Sequence, residues 1–136
     1  MENLQGIAHN RLVFEELSLT KRKDTAVARV ALAYNGATRF AEGETGHYSD
    51  EISRMVCELT LQAVEAFFPD EMRFTLMDFK LHDLAGEQVV TVCVGLRRGG
   101  ILERYVGCAL ASEDQNLAVV RAVLNALNRR LSIELK

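Results

Sequence analysis

One order of elements runs through this chain twice, about 62 residues apart, and that repetition limits the folds open to it. The second copy ends in the clearest segment, Ala111 to Leu131. Val120, Val123, Leu124, Leu127 and Leu131 recur there at three- and four-residue spacing, the stripe of an amphipathic helix. Ser112 followed by Gln115 predicts a capping box. Glu113 and Asp114 suit the positive helix start, and Arg129 and Arg130 its end. In the first copy a helix is predicted from Ser49 or Asp50 to about Phe68. Its stripe is Ile52, Met55, Val56, Leu59, Ala63 and Phe67. Pro69 ends it, because proline disfavours helix at the residue before it.

Three strands precede each helix. In the first copy they are Arg11 to Leu19, Thr25 to Tyr34 and about Ala37 to Glu42, with Thr20 to Asp24 as a charged turn. Val30, Leu32 and Tyr34 share one face of the middle strand. Asn35-Gly36 predicts a two-residue hairpin, because both central positions of a type I′ turn favour positive φ. Gly43 to Gly46 reads as a flexible loop. In the second copy the strands are Arg73 to His82, Glu87 to Arg97 and Ile101 to Leu110. Asp83–Gly86 and Arg98–Gly100 are the turns, which leaves His82 in or beside a turn. Apolar parity slips between Phe14 and Leu17 and again between Leu76 and Phe79, the mark of a bulged or bent first strand.

The expected fold is therefore α+β, a single domain over residues 1–136 built of two βββα units, about 11–68 and about 73–131. A three-stranded antiparallel sheet with one helix leaves its apolar face half covered. Two units related by a pseudo-twofold axis bury both stripes by packing the sheets on the two helices. An open sheet edge invites a second copy, so a homodimer is expected.

Composition narrows the function. A net charge of −3 argues against a general nucleic-acid binder. No apolar run approaches the roughly 20 residues that span a bilayer. The first ten residues lack a signal-peptide pattern, so a cytoplasmic location is expected, whether the chain is whole or part of a longer protein. Cys57, Cys93 and Cys108 lack metal or disulfide spacing and read as buried reduced thiols. His9, His47 and His82 are scattered. Asp78, His82 and Asp83 would need a cooperative backbone to gather a metal. No nucleophile, phosphate-loop or metalloprotease motif occurs. Glu15 and Glu16, on opposite faces of a strand, share a substrate only if a bulge intervenes. No catalytic residue, cofactor or metal is expected.

Two stretches carry a family resemblance. Glu42 to Val64, EGETGHYSDEISRMVCELTLQAV, resembles a glycine-rich loop entering a helix in the C-terminal regulatory domain of 2-isopropylmalate synthase and of citramalate synthase. Arg121 to Arg129, RAVLNALNR, is similar to that domain's closing helix. With the duplicated topology, the likeness covers nearly the whole chain. It implies a dimerising domain that binds an end-product amino acid or similar small acid near the subunit interface and regulates a catalytic barrel, for which this chain has no room. His47-Tyr48 departs from the family's smaller turn, and Gly107 to Ala111 has lost most of its glycines.

The two helix starts are the candidate ligand site, since free N–H groups and the macrodipole attract a carboxylate or phosphate. Its residues are Gly43, Gly46, His47, Tyr48, Ser49 and Asp50 from the first copy and Ala111 and Ser112 from the second. Asp50, Glu51, Glu113 and Asp114 oppose an anion there. The function expected is a small-molecule-binding, regulatory or dimerisation module. A purely structural or protein-interaction module is the alternative, and a small enzyme stands third.

Overall fold

The computed structural model describes residues 11–111 and 114–134, the last three as backbone only. The elements run β1 (Val13–Lys21), β2 (Thr25–Tyr34), β3 (Ala37–Gly46), α1 (Ser49–Glu65), β4 (Arg73–Leu84), β5 (Glu87–Arg98), β6 (Ile101–Leu110) and α2 (Gln115–Glu134). They form two antiparallel sheets, ordered β1-β2-β3 and β4-β5-β6, each followed by a helix. The α+β fold of two βββα units is the one the sequence pattern predicts.

Turn chemistry sets the hairpins. Asn35 and Gly36 have φ of 52° and 80°, and Gly99 and Gly100 have 58° and 85°. Ala85 and Gly86 form a third turn of this kind, at 53° and 83°. This last turn is tighter than the predicted Asp83–Gly86. The strands continue to Leu84 because Asp83 pairs with Gln88 and accepts its side-chain N–H at 3.0 Å. His82 is thus a strand residue. The parity slips are β-bulges, at Glu15 opposite β2 and one period later at Met77 opposite β5.

Gly43 to Gly46 is not a loop. All four residues pair with β2, as Gly43 with Ala28 and Gly46 with Thr25. Glycine weakens a strand by entropy, which is why the sequence reads as a loop, but a close helix calls for it here. A Cβ on Gly43 would stand 3.2 Å from Leu59 Cδ2 and 3.5 Å from Met55 Sδ.

Each helix packs on the inner face of its own sheet, on the other helix and on the first strand of the other unit. That third contact explains why burial exceeds one stripe: Ser53, Cys57, Thr60, Leu61 and Val64 of α1 are buried with the predicted residues. Thr60 satisfies its hydroxyl by donating to Val56 O at 2.7 Å. Near the end of α2, Asn128 Oδ1 accepts from Leu12 N at 2.7 Å, and its Nδ2 donates to Leu12 O at 3.2 Å. The counterpart at the end of α1 is Glu65, whose Oε2 accepts from Phe74 N at 2.7 Å. Each unit thereby clamps the strand that opens the other.

Helix limits shift slightly. α1 ends at Glu65, and Phe67 and Phe68 instead pack on Tyr34 with ring centroids 5.6 and 5.3 Å apart. α2 continues to Glu134, so Arg129 and Arg130 precede its last turn, and Arg130 donates to Glu103 Oε1 at 3.4 Å.

Candidate functional site

The helix starts meet, one turn further along α1 than the predicted residues. Ser53, 1% exposed, accepts from Gln115 Nε2 and donates to Asn116 Oδ1, both at 2.9 Å. Gln115 therefore bonds across the seam. Asp114 provides the cap instead, its Oδ1 accepting from Asn116 N at 3.0 Å and Leu117 N at 3.1 Å. Ser112 and Glu113, like His9, lie outside the described residues.

At α1 the N-cap position is Tyr48, with Ser49 the first helical residue. Glu51 reaches back to Tyr48 N at 3.4 Å, and Asp50 Oδ1 accepts from Glu51 N at 3.1 Å. A Cβ on Gly46 would overlap the Glu51 carboxylate, so this glycine makes room for the chain's own anion. His47 and Tyr48 are exposed and stacked, with ring centroids 4.5 Å apart. His47 Nδ1 donates to Asp24 O at 3.3 Å, which fixes the ring against the β1–β2 turn. Ala111 sits at the end of β6, its N–H on Gln88 O at 2.8 Å. Among the described residues no hydrogen bond joins Ala111 to the Gly43–Asp50 group.

The outer sheet faces, turned away from the helices, differ sharply. On the first sheet Arg29 bridges Glu16 at 3.3 Å and Glu42 at 3.7 Å and lies 3.8 Å over the Phe40 ring. Its charges answer one another, and the bulge at Glu15 leaves Glu16 bound to Arg29. The second sheet presents Val106 (60% exposed) and Leu110 (56%), with Leu84, Met77 and Leu102 also exposed. Asp78, Lys80 and His82 line one margin. His82 Nε2 and Thr91 Oγ1 are hydrogen-bonded at 2.8 Å. Asp78, Lys80, His82, Thr91, Cys93 and Val106 enclose a shallow depression of about 340 Å³. A second cleft, about 390 Å³, lies between α1 and β4 under Glu58, Gln62 and Glu65.

The cysteines divide by strand parity. Cys57 is buried, and burial pushes its thiol up to about 12, with Glu58 adding to the rise and Arg54 opposing it. Cys93 is half-buried and Cys108 exposed, because both sit on the outer face, out of phase with inward Val90, Val92 and Val94. The expectation of three buried thiols thus holds for one. Among the described residues no three His, Cys, Asp or Glu side chains are placed to hold a metal ion. Asp83 turns to Gln88, away from Asp78 and His82.

These features define a duplicated βββα domain of the α+β class, with a polar seam between helix starts and one outer face that exposes large apolar side chains among charged ones. No family model matches the chain, and no curated protein is similar enough to count as a match. No helix among the described residues is long and apolar enough to cross a membrane.

Proposed function

We propose that this chain is a non-catalytic regulatory and dimerisation module that works by presenting a surface for assembly. The contrast between its outer sheet faces carries the reading. One draws Glu16, Glu42 and the Phe40 ring onto Arg29 and also exposes Val13, while the other keeps Val106, Leu110, Leu84, Met77 and Leu102 in water, the usual sign of a recognition surface. The reading agrees with the resemblance to the 2-isopropylmalate synthase regulatory domain and with a cytoplasmic location. Light scattering across a dilution series tests it: an assembly module self-associates or captures a partner through this face. A chain that stays monomeric, and whose apolar face is indifferent to Val106→Glu in every binding assay, refutes it.

A second reading is favoured by the exposed His47–Tyr48 stack, one turn before the Ser53–Gln115–Asn116 seam. A small acid or amino acid held there would touch both units and fix their relation. The glycines and carboxylates at the α1 start weigh against it, since they already fill the space and accept from the N–H groups. A thermal-shift screen against branched-chain amino acids, 2-oxo acids and nucleotides tests this reading. A ligand at a hundred times its dissociation constant adds about 2.7 kcal/mol. Loss of that gain in His47→Ala or Tyr48→Ala would locate the site.

A further inference from the structure

We infer that the second sheet's outer face binds a second copy of this chain, face to face, about a twofold axis running across the strands at the level of Val92. The inference rests on the assembly reading above and names its partner and its register. The charge pattern on the face supplies the argument. Along β5, outward Glu87 and Arg97 stand at equal distances on either side of Val92. Along β4, Asp78 and Lys80 pair with Cys93 and Thr91, the outward residues flanking the same level. A twofold axis there lays Asp78 of one copy over Lys80 of the second copy, and Glu87 over Arg97, each pair twice. On β6 it lays Val106 over Cys108, since these pair with Cys93 and Thr91. Both of these charge pairs meet their opposites and Val106 meets Cys108, whereas towards the ends of the face Arg104 lies over Leu110 and Arg73 over Leu84.

Shape and size agree. Met77 and Leu102 lean together over Gly95, 3.0 and 3.2 Å from where its Cβ would be, and form a ridge. On the second copy that ridge descends beside Val89, at one end of the depression around Thr91 and Cys93. Strands of 12, 12 and 10 residues, about 4.8 Å apart and rising about 3.3 Å per residue, give a face of roughly 500 Å² per copy. Roughly 1,000 Å² in all is the lower end for a specific interface, so the dimer should dissociate at micromolar concentrations. Extending the sheet through the β6 edge competes poorly, because Asn125 Oδ1 already accepts from the outward Cys108 N–H at 3.2 Å.

The test combines sedimentation over a concentration series with thiol labelling of the full chain. Cys108 lies on the face, while Cys57 is buried and serves as the unreactive internal control. Labelling of Cys108 should slow as concentration rises through the dimerisation range, in step with the sedimentation change. Val106→Glu should abolish the dimer while leaving the melting curve unchanged at concentrations below the dimerisation range. Asp78→Lys and Lys80→Asp should each weaken it by roughly tenfold, and the double swap should restore it, because it rebuilds the same pairs with the signs exchanged. A dimer that ignores Val106→Glu overturns this face but leaves assembly intact. A double swap no better than either single swap overturns the register. A chain monomeric at several hundred micromolar, about a hundredfold above the expected range, overturns this inference and removes self-association from the function.

Discussion

Replacing Asn128 with leucine tests how the two units are held together. Asn128 is 7% exposed and Leu12 2%, and the amide meets both Leu12 backbone groups, at 2.7 and 3.2 Å. Leucine has nearly the same size and shape, so no cavity opens. The backbone N–H and C=O of Leu12 lose their partners without gaining water. Each buried group left this way costs about 1–3 kcal/mol. Added apolar burial returns about 1 kcal/mol, so the net loss should be about 1–5 kcal/mol. In a domain of this size that lowers the melting temperature by about 10 °C. Urea unfolding should give a lower midpoint at an unchanged slope, since the surface exposed is the same. Amide exchange at Leu12 should quicken more than exchange at Val30 or Val92, because β1 is released before the core opens. Glu65→Gln is the control: an amide oxygen still accepts from Phe74 N, so the change should stay within about 1 kcal/mol. The reasoning fails if Asn128→Leu matches the wild-type chain in stability and in protection of Leu12.

Other substitutions probe single contacts. Gly107→Ala would place a methyl 2.9 Å from Ala126 Cα and overlapping Ala122 O, so β6 and α2 must separate. Calorimetry should show a loss of about 3 kcal/mol or more, since backbone, unlike a side-chain tip, does not swing aside. Gly43→Ala meets only side-chain ends and should cost less. The Tyr34 hydroxyl is buried without a partner, so Tyr34→Phe should be neutral or stabilising by about 1 kcal/mol in urea unfolding. A destabilised Phe variant would mean that the hydroxyl is satisfied after all. For Cys57 the folded-state thiol lies near 12 against an ordinary 9.0, so folding favours the protonated form. That contribution is complete below about pH 9 and lost as pH rises towards 12, and Cys57→Ala should flatten the alkaline fall in stability.

The strand order, the Asn35-Gly36 hairpin and the two bulges were legible because each rests on local chemistry: parity, positive φ, and a slip repeated one period later. The α2 stripe was legible for the same reason. What escaped depends on a third body. Ser53, Thr60 and Leu61 look like the wet side of an amphipathic helix until α2 and β4 close over them. Gly43 and Gly46 look like loop residues until α1 descends on β3. The Asp114 cap was within reach, since aspartate is as good a capping residue as serine. The outward placement of Cys93 also followed from its parity against Val92 and Val94.

The contrast between inside and outside explains why the candidate site was the harder part to read. Duplication ties the inner surfaces together, because each helix must serve its own sheet, the other helix and a strand of the other unit. A change at Asn128 or Glu65 is therefore felt in both halves. No such constraint acts on the outer faces, so they are free to diverge. Arg29 can gather Glu16 and Glu42 on one sheet, while Val106 and Leu110 occupy the other. Comparing the two units position by position thus separates the inner positions that hold the fold from the exposed positions where the units differ, and the proposed assembly surface lies among the latter. By that criterion the outer face of the second sheet takes precedence over the start of α1, whose glycines and carboxylates are accounted for by contacts within the chain.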